Sequence, residues 1–543
     1  MNNLDFAQQA TLKPIENIAQ WANLSDEDYE PLGRHKAKFT ASGIQKFGTS
    51  SKTGKLVLMT AISPTPAGEG KTTCSVGLAQ GLNRIGVKAI PALREPALGP
   101  VLGIKGGACG GGKSQVLPME EINLFFNGDF PAITAAHNVL SAILDSSLNH
   151  GNPQNLNTQT IWWPRTMDMI DRPLREIVIG LGNKNGPVRT DSFVITPASE
   201  VMATLCMATS FADLKDRLDK LVVGLRHDGT PVTAKDLQAS GVMAALLKDA
   251  ARPNLVQTME GGAAILHGGP FGNIAHGCSS IQGTRIGLSL ADILVTEGGF
   301  GSDLGGEKFL NIVCPRLGRG PDTIVLVATV RALKYHGRGD LAKGCENLGQ
   351  HIKHLKQYGV PLIVTLNRFA DDTPEDLGFV AAYAAAQGVN AVESDPWMSG
   401  GEGCEELAEI VRESVQQPSN FQNLYEQDDP IVTKLEKLVI GCYGGSLVTL
   451  SKAAQSKLKW LQTHGYGTLP VCVAKTQMSL SDDATLLGAP KNFELHVRDF
   501  KLSAGAGFVV AVCGDILLMP GMGKDPAAHH ITISDDGVIS GIY

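Results

Sequence analysis

Residues 65–73 read Thr-Pro-Ala-Gly-Glu-Gly-Lys-Thr-Thr, and they follow the apolar run Lys-Leu-Val-Leu-Met-Thr-Ala at 55–61. A helix-compatible stretch, 72–85, comes next and closes at Gly86. A buried strand, a glycine loop and a helix in that order are the opening of an α/β unit with a parallel sheet. The loop fits a phosphate cradle. Its backbone N–H groups meet an anion at the positive end of a helix. Gly68 and Gly70 let the chain wrap closely. Lys71 is placed to reach the β- and γ-phosphates of a nucleotide, and Thr72 or Thr73 to hold its Mg²⁺. The general pattern asks for a first glycine where Thr65 stands, so Thr65, Pro66, Ala67, Gly68, Glu69, Gly70, Lys71, Thr72 and Thr73 form an ATP loop with an atypical start.

Further apolar runs at 87–92, 293–296, 323–327 and 361–366 alternate with amphipathic stretches such as 211–222 and 237–250. They predict an α/β fold, a P-loop parallel-sheet core with smaller α/β subdomains. The 543 residues exceed one compact core. We expect a nucleotide-binding core over 1–360, a subdomain over 361–460 and a C-terminal α/β subdomain over 461–543. Polar or glycine-rich loops are expected at 149–159, 394–403 and 416–429.

A net charge of −7 argues against a general polyanion binder. No run reaches the roughly 18 apolar residues that a membrane span needs. The start, MNNLDFAQQATLKPIENIAQ, does not read as a signal peptide. The ten cysteines have no CxxC spacing, so they read as buried thiols of a reducing compartment. These points predict a cytoplasmic protein with small-molecule partners and neither nucleic acid nor membrane.

A phosphate loop alone leaves switch, motor, kinase and ligase open. Arg94, just past the 87–92 strand, is placed for a carboxylate or acyl phosphate, whose two oxygens match a guanidinium fork. The run GIKGGACGGG at 103–112 suits a loop closing on an anion. Glu297 ends a strand where P-loop proteins place a Mg²⁺-linked acid. His267, His276 and His336 sit among glycines and receive no role; a satisfied structural histidine is the expectation.

Together these segments resemble the formate–tetrahydrofolate ligase family. LKPI at 12–15, KAK at 36–38, TPAGEGKTT at 65–73, REP at 94–96, GIKGGACGGG at 103–112, VATVRALKYHG at 327–337, AKTQ at 474–477 and LSAGAGF at 502–508 carry the resemblance almost end to end. Lys113 departs from it, standing where an aromatic residue is expected. The resemblance implies ATP-dependent formylation of tetrahydrofolate, with ADP and phosphate as co-products and formyl phosphate as intermediate. It implies that Lys71, Arg94 and Glu95 are catalytic. Formyl phosphate would lie on Lys71, Arg94, Gly106 and Gly107, and the folate pterin between Phe369 and Trp397. Mg-ATP, an activating monovalent cation and a homotetramer are implied as well.

Overall fold

The computed structural model describes residues 2–103 and 109–542. Among them, twelve strands make one sheet. In chain order these are β1 (Tyr29–Pro31), β2 (Ala37–Phe39), β3 (Lys55–Ala61), β4 (Ala89–Leu93), β5 (Gly110–Gly111), β6 (Ser114–Leu117), β7 (Asn254–Thr258), β8 (Ala263–Leu266), β9 (Ile293–Glu297), β10 (Thr323–Ala328), β11 (Leu362–Asn367) and β12 (Asn390–Ser394). The order across the sheet is β1-β2-β7-β8-β4-β9-β3-β10-β11-β12, with β6 on β7 and β5 on β6.

The seven strands from β8 to β12 run parallel. The end formed by β1, β2 and β7 is antiparallel. The cause is the short Met259–Gly262 link between β7 and β8, turned by Gly261 at φ 79°, because a parallel pair would need a long crossover.

Burial on both faces explains the continuous apolar runs of the central strands. Val57, Met59 and Ala61 pack under α1 (Lys71–Arg84) with Cys74, Leu78 and Leu82. Leu56 and Leu58 point the other way, into a core shared with Ile286 and Leu290 of α2 (Ile281–Leu290). The period of two along β3 therefore divides the two faces.

Residues 129–251 form a separate layer with its own core, built around the helix Asp129–Asn149 and a three-stranded sheet. A four-stranded sheet, order β13-β15-β16-β14, lies toward the end of the chain: β13 (Leu447–Leu450), β14 (Val471–Ala474), β15 (Glu494–Ser503) and β16 (Phe508–Cys513). Cys472, Ala474, Phe508 and Val510 pack it into the core of the main sheet, and a buried ion pair adds to that contact. Lys475, just past β14, donates to Asp303 at 2.6 Å, and both are buried. Burial alone would raise the Asp303 carboxyl, but the Lys475 ammonium outweighs it and holds the group below the usual range. Removing one partner of a buried pair strands a charge. Lys475→Met is expected to lower stability by about 3–5 kcal/mol in urea titration. A loss under about 1 kcal/mol would show that the pair does not clamp the two sheets.

Candidate active site

Parallel strands deliver their following loops to one edge, so strand order sets the order of the groups there. Along β4-β9-β3-β10-β11-β12 that order is Arg94, Glu297, the 65–70 loop, Thr329 and Arg331, Asn367 and Phe369, and Trp397. Five strand spacings cover about 24 Å. The row is long enough for a nucleotide with a second ligand beside it.

Gly70 caps α1 in the left-handed region at φ 68°, and a Cβ there would lie 2.6 Å from Asn367 Nδ2. Asn367 Nδ2 donates to the Glu69 carbonyl at 3.0 Å. The Glu69 side chain is turned into the protein. Its Oε1 accepts from Thr65 N at 2.6 Å and its Oε2 from the Thr329 hydroxyl. Arg331 donates to the Gly68 carbonyl and lies 3.8 Å from Glu69. Position 65, where the general pattern is broken, anchors this brace through its backbone N–H, while the Thr65 hydroxyl is buried with no partner among the described residues. Pro66 and Ala67 are exposed at the tip, Thr73 is buried, and Lys71 and Thr72 stay half-open.

Lys71 Nζ donates to the Phe300 carbonyl at 3.1 Å. Phe300 holds φ 59°, a strained value for a bulky residue and one that clusters at functional sites. Thr72 Oγ1 donates to Glu297 Oε2 at 3.0 Å, and Glu297 Oε1 lies 3.8 Å from Arg94. Arg94 also donates to the Pro270 carbonyl at 3.0 Å, while its buried Nε–H has no partner among the described residues.

Glu95 lies deeper. It accepts from Gly268 N at 3.0 Å and Asn254 Nδ2 at 3.3 Å, and Asn254 bridges to Asp129, which is ion-paired with Lys38 at 2.8 Å. Burial and the Asp129 charge push the Glu95 carboxyl well above the usual range, with Lys38 opposing. Gly106 and Gly107 lie outside the described residues.

Phe369 and Trp397 leave neighbouring strands, since Asn367 pairs with Ser394. The Arg331 guanidinium stands 4.4 Å from the Phe369 ring centroid. Trp397 sits in a short helix, Pro396–Ser399, where an irregular loop is expected from its glycines; Pro396 and the Asp395 cap to Met398 N start that turn. Trp397 Nε1 donates to Asn3 at 2.9 Å, and its ring meets Phe6 edge-on at 5.4 Å. A Cβ on Gly112 would fall 2.0 Å from the Trp397 carbonyl, so the glycine run is needed for close packing here. Lys113 contributes its backbone N–H to that same carbonyl at 2.9 Å, a bond indifferent to its side chain.

The family model for formate–tetrahydrofolate ligase matches residues 1–543. Relatives named formate–tetrahydrofolate ligase from Symbiobacterium thermophilum and Allorhizobium ampelinum are each 50% identical, with all of both chains covered. The chain belongs to the formate–tetrahydrofolate ligase family. It is an ATP-dependent ligase that formylates tetrahydrofolate.

Sequence patterns alone give no hint of how this ligase braces its phosphate loop from behind. Ser63 N donates to His351 Nε2 at 2.9 Å, which leaves the ring proton on Nδ1. Nδ1 then donates to Ser302 Oγ at 2.7 Å, Ser302 donates to His354 Nδ1 at 3.1 Å, and His354 Nε2 meets Tyr358 Oη at 3.3 Å. His351 so joins the segment entering the loop to the one carrying Phe300. Among the glycine-flanked histidines, His267 and His336 have partners as expected. His276 does not: both its ring nitrogens are buried and unpartnered among the described residues.

Burial pushes His267 and His351 down to about 4. The unfolded chain binds protons near 6.5 that the folded chain refuses, so stability falls as pH drops from 6.5 toward 4. At pH 5 each of the two is expected to cost about 2 kcal/mol relative to pH 7. His351→Gln keeps an acceptor for Ser63 and removes one of these protons. Urea titrations at pH 7 and 5 should show a shallower pH slope in that variant; an unchanged slope would contradict the buried neutral imidazole.

Proposed function

We propose that this ligase works through formyl phosphate, formed between Lys71 and Arg94. The observation that carries the reading is Glu297, whose two oxygens reach Thr72 on the phosphate-loop helix and Arg94 just past the adjacent strand β4. A carboxylate-binding guanidinium therefore stands beside the phosphate loop, with an Nε–H still to satisfy.

Formate is a poor electrophile because its anionic carboxylate is resonance-stabilised. A formate oxygen held by Arg94 attacks the γ-phosphorus, the bond to the β-phosphate oxygen breaks, and ADP leaves. Lys71 balances charge on the transferred group. N10 of tetrahydrofolate then attacks the formyl carbon; the carbon–oxygen bond to phosphate breaks and the N10 proton is lost. Glu95, braced through Asn254, Asp129 and Lys38, orients the Arg94 loop. Gly106 and Gly107 belong to this proposal on the resemblance alone.

The Thr72 hydroxyl and Glu297 carboxylate are hard oxygen donors, as Mg²⁺ bound to a nucleotide requires. They would hold that ion directly or through water, and it would supply charge neutralisation at the phosphates. Phe369 and Trp397, each just past one of two neighbouring strands, take the pterin ring by stacking. Activation by a monovalent cation, a homotetramer and a cytoplasmic location join the proposal on the family resemblance.

Incubation with Mg-ATP, formate and tetrahydrofolate, followed by acid, should yield the absorbance of methenyltetrahydrofolate only when all three are present. Lys71→Ala is expected to cut kcat by about 10²–10³. Trp397→Ala should raise the folate KM about five- to tenfold and leave the formate KM within twofold. An unchanged folate KM would remove Trp397 from the pterin site.

A further inference from the structure

Away from the sheet edge, a cavity of about 270 Å³ opens between the 129–251 layer and the C-terminal sheet. At about 30 Å³ per water it equals some nine waters, the size of a six-membered ring with a carboxylate. Its walls include Trp162 and Trp163 on one side and Phe508 on the other. Flat apolar walls of this kind favour a planar ring.

Five ionisable residues line the space: His137, Glu200, Lys457, Asp499 and Lys501. Lys457 Nζ stands 3.4 Å from the Trp162 ring centroid. It has a ring beneath it but no hydrogen-bond acceptor among the described residues, and burial holds its ammonium below the usual range despite Asp499 nearby. Glu200 Oε1 accepts from Gly505 N at 2.8 Å, and the residue lines the cavity. Burial raises this carboxyl to about 8, so near neutrality it is an uncharged donor. Asp499 and Lys501 also border the space and offset one another, leaving Lys457 as the net positive charge. A largely apolar pocket with a few converging polar groups, one of them strongly perturbed, is what a small-ligand site looks like.

We infer that this cavity binds a small planar aromatic carboxylate, its ring between the indole and phenyl walls and its anion on Lys457. The back wall includes Ile274 and Ala275. They belong to the segment whose Pro270 carbonyl holds Arg94 and whose Gly277 carbonyl accepts from Gly299 N at 2.8 Å, so the cavity and the sheet-edge site share one loop.

Benzoate, benzamide and cyclohexanecarboxylate are the probes, titrated into the full-length protein by ligand-observed NMR and tryptophan fluorescence. Benzoate is expected to saturate with a Kd at or below about 1 mM. Benzamide, without the charge, and cyclohexanecarboxylate, without the flat ring, should each bind at least about tenfold more weakly. Lys457→Met keeps the side-chain stem over Trp162 and should weaken benzoate by tenfold or more. Ala198→Leu narrows the cavity without touching a charge and should do the same. Glu200→Gln, which keeps a neutral hydrogen-bonding group, should stay within about threefold. Benzoate binding equally well to Lys457→Met and Ala198→Leu would place it elsewhere, at the Arg94 edge included, and overturn the proposal. So would the absence of saturation, or equal binding of the three probes.

Discussion

Glu297 is a carboxylate with 2% of its surface exposed, and a charge removed from water so completely must be paired or hydrogen-bonded. It takes the Thr72 hydroxyl on one oxygen and faces Arg94 with the other. Its place is fixed by strand order, because β9 lies between β4 and β3 and runs parallel to both. The carbonyl that receives Lys71 comes from Phe300, three residues further on. One strand end therefore ties together a nucleotide's Mg²⁺ position, the phosphate lysine and the carboxylate-binding arginine of the proposed mechanism. An attacking carboxylate and a γ-phosphate held this way meet without diffusional search, which is the larger part of what a phosphoryl-transfer site supplies.

The loop beside it is rigid for a related reason. A phosphate loop that carries an acid must keep that acid from its ligand. Glu69 is turned inward onto Thr65 N and Thr329, while Arg331 and Asn367 hold the Gly68 and Glu69 carbonyls. The motif and the 327–337 signature are one device seen from two places in the chain. The buried imidazole of His351 then fixes the entry of the loop to the segment after Phe300, with its tautomer set by Ser63 N–H.

Much of this was legible in the sequence. The strand Lys55–Ala61 has the limits its apolar run suggests, since buried parallel strands need continuous apolar character. Arg94 and Glu297 stand out because both follow directly from strand ends. The antiparallel edge was not legible: its cause is the brevity of one turn, and β1 and β2 are three residues each. The helix expected over 211–222 stops at Leu218, because Val222 is taken into a strand. The loop expected at 394–403 gains a capped turn from Asp395. The braces made by Thr329, Arg331 and His351 join residues more than 250 apart in sequence, which no local pattern reports. The glycine run reads in sequence as a loop for an anion, whereas a Cβ on Gly112 would meet Trp397 and one on Gly111 would meet Asn3 and Trp397.

The central claim is that formate meets the γ-phosphate directly at the Glu297-linked edge. Formate labelled with ¹⁸O on both oxygens tests it in a single turnover. Attack by a formate oxygen on phosphorus, followed by cleavage of the carbon–oxygen bond, leaves one ¹⁸O in inorganic phosphate for each formyl group transferred. Mass spectrometry of the phosphate should show that one-to-one label, and phosphate free of ¹⁸O would contradict the account.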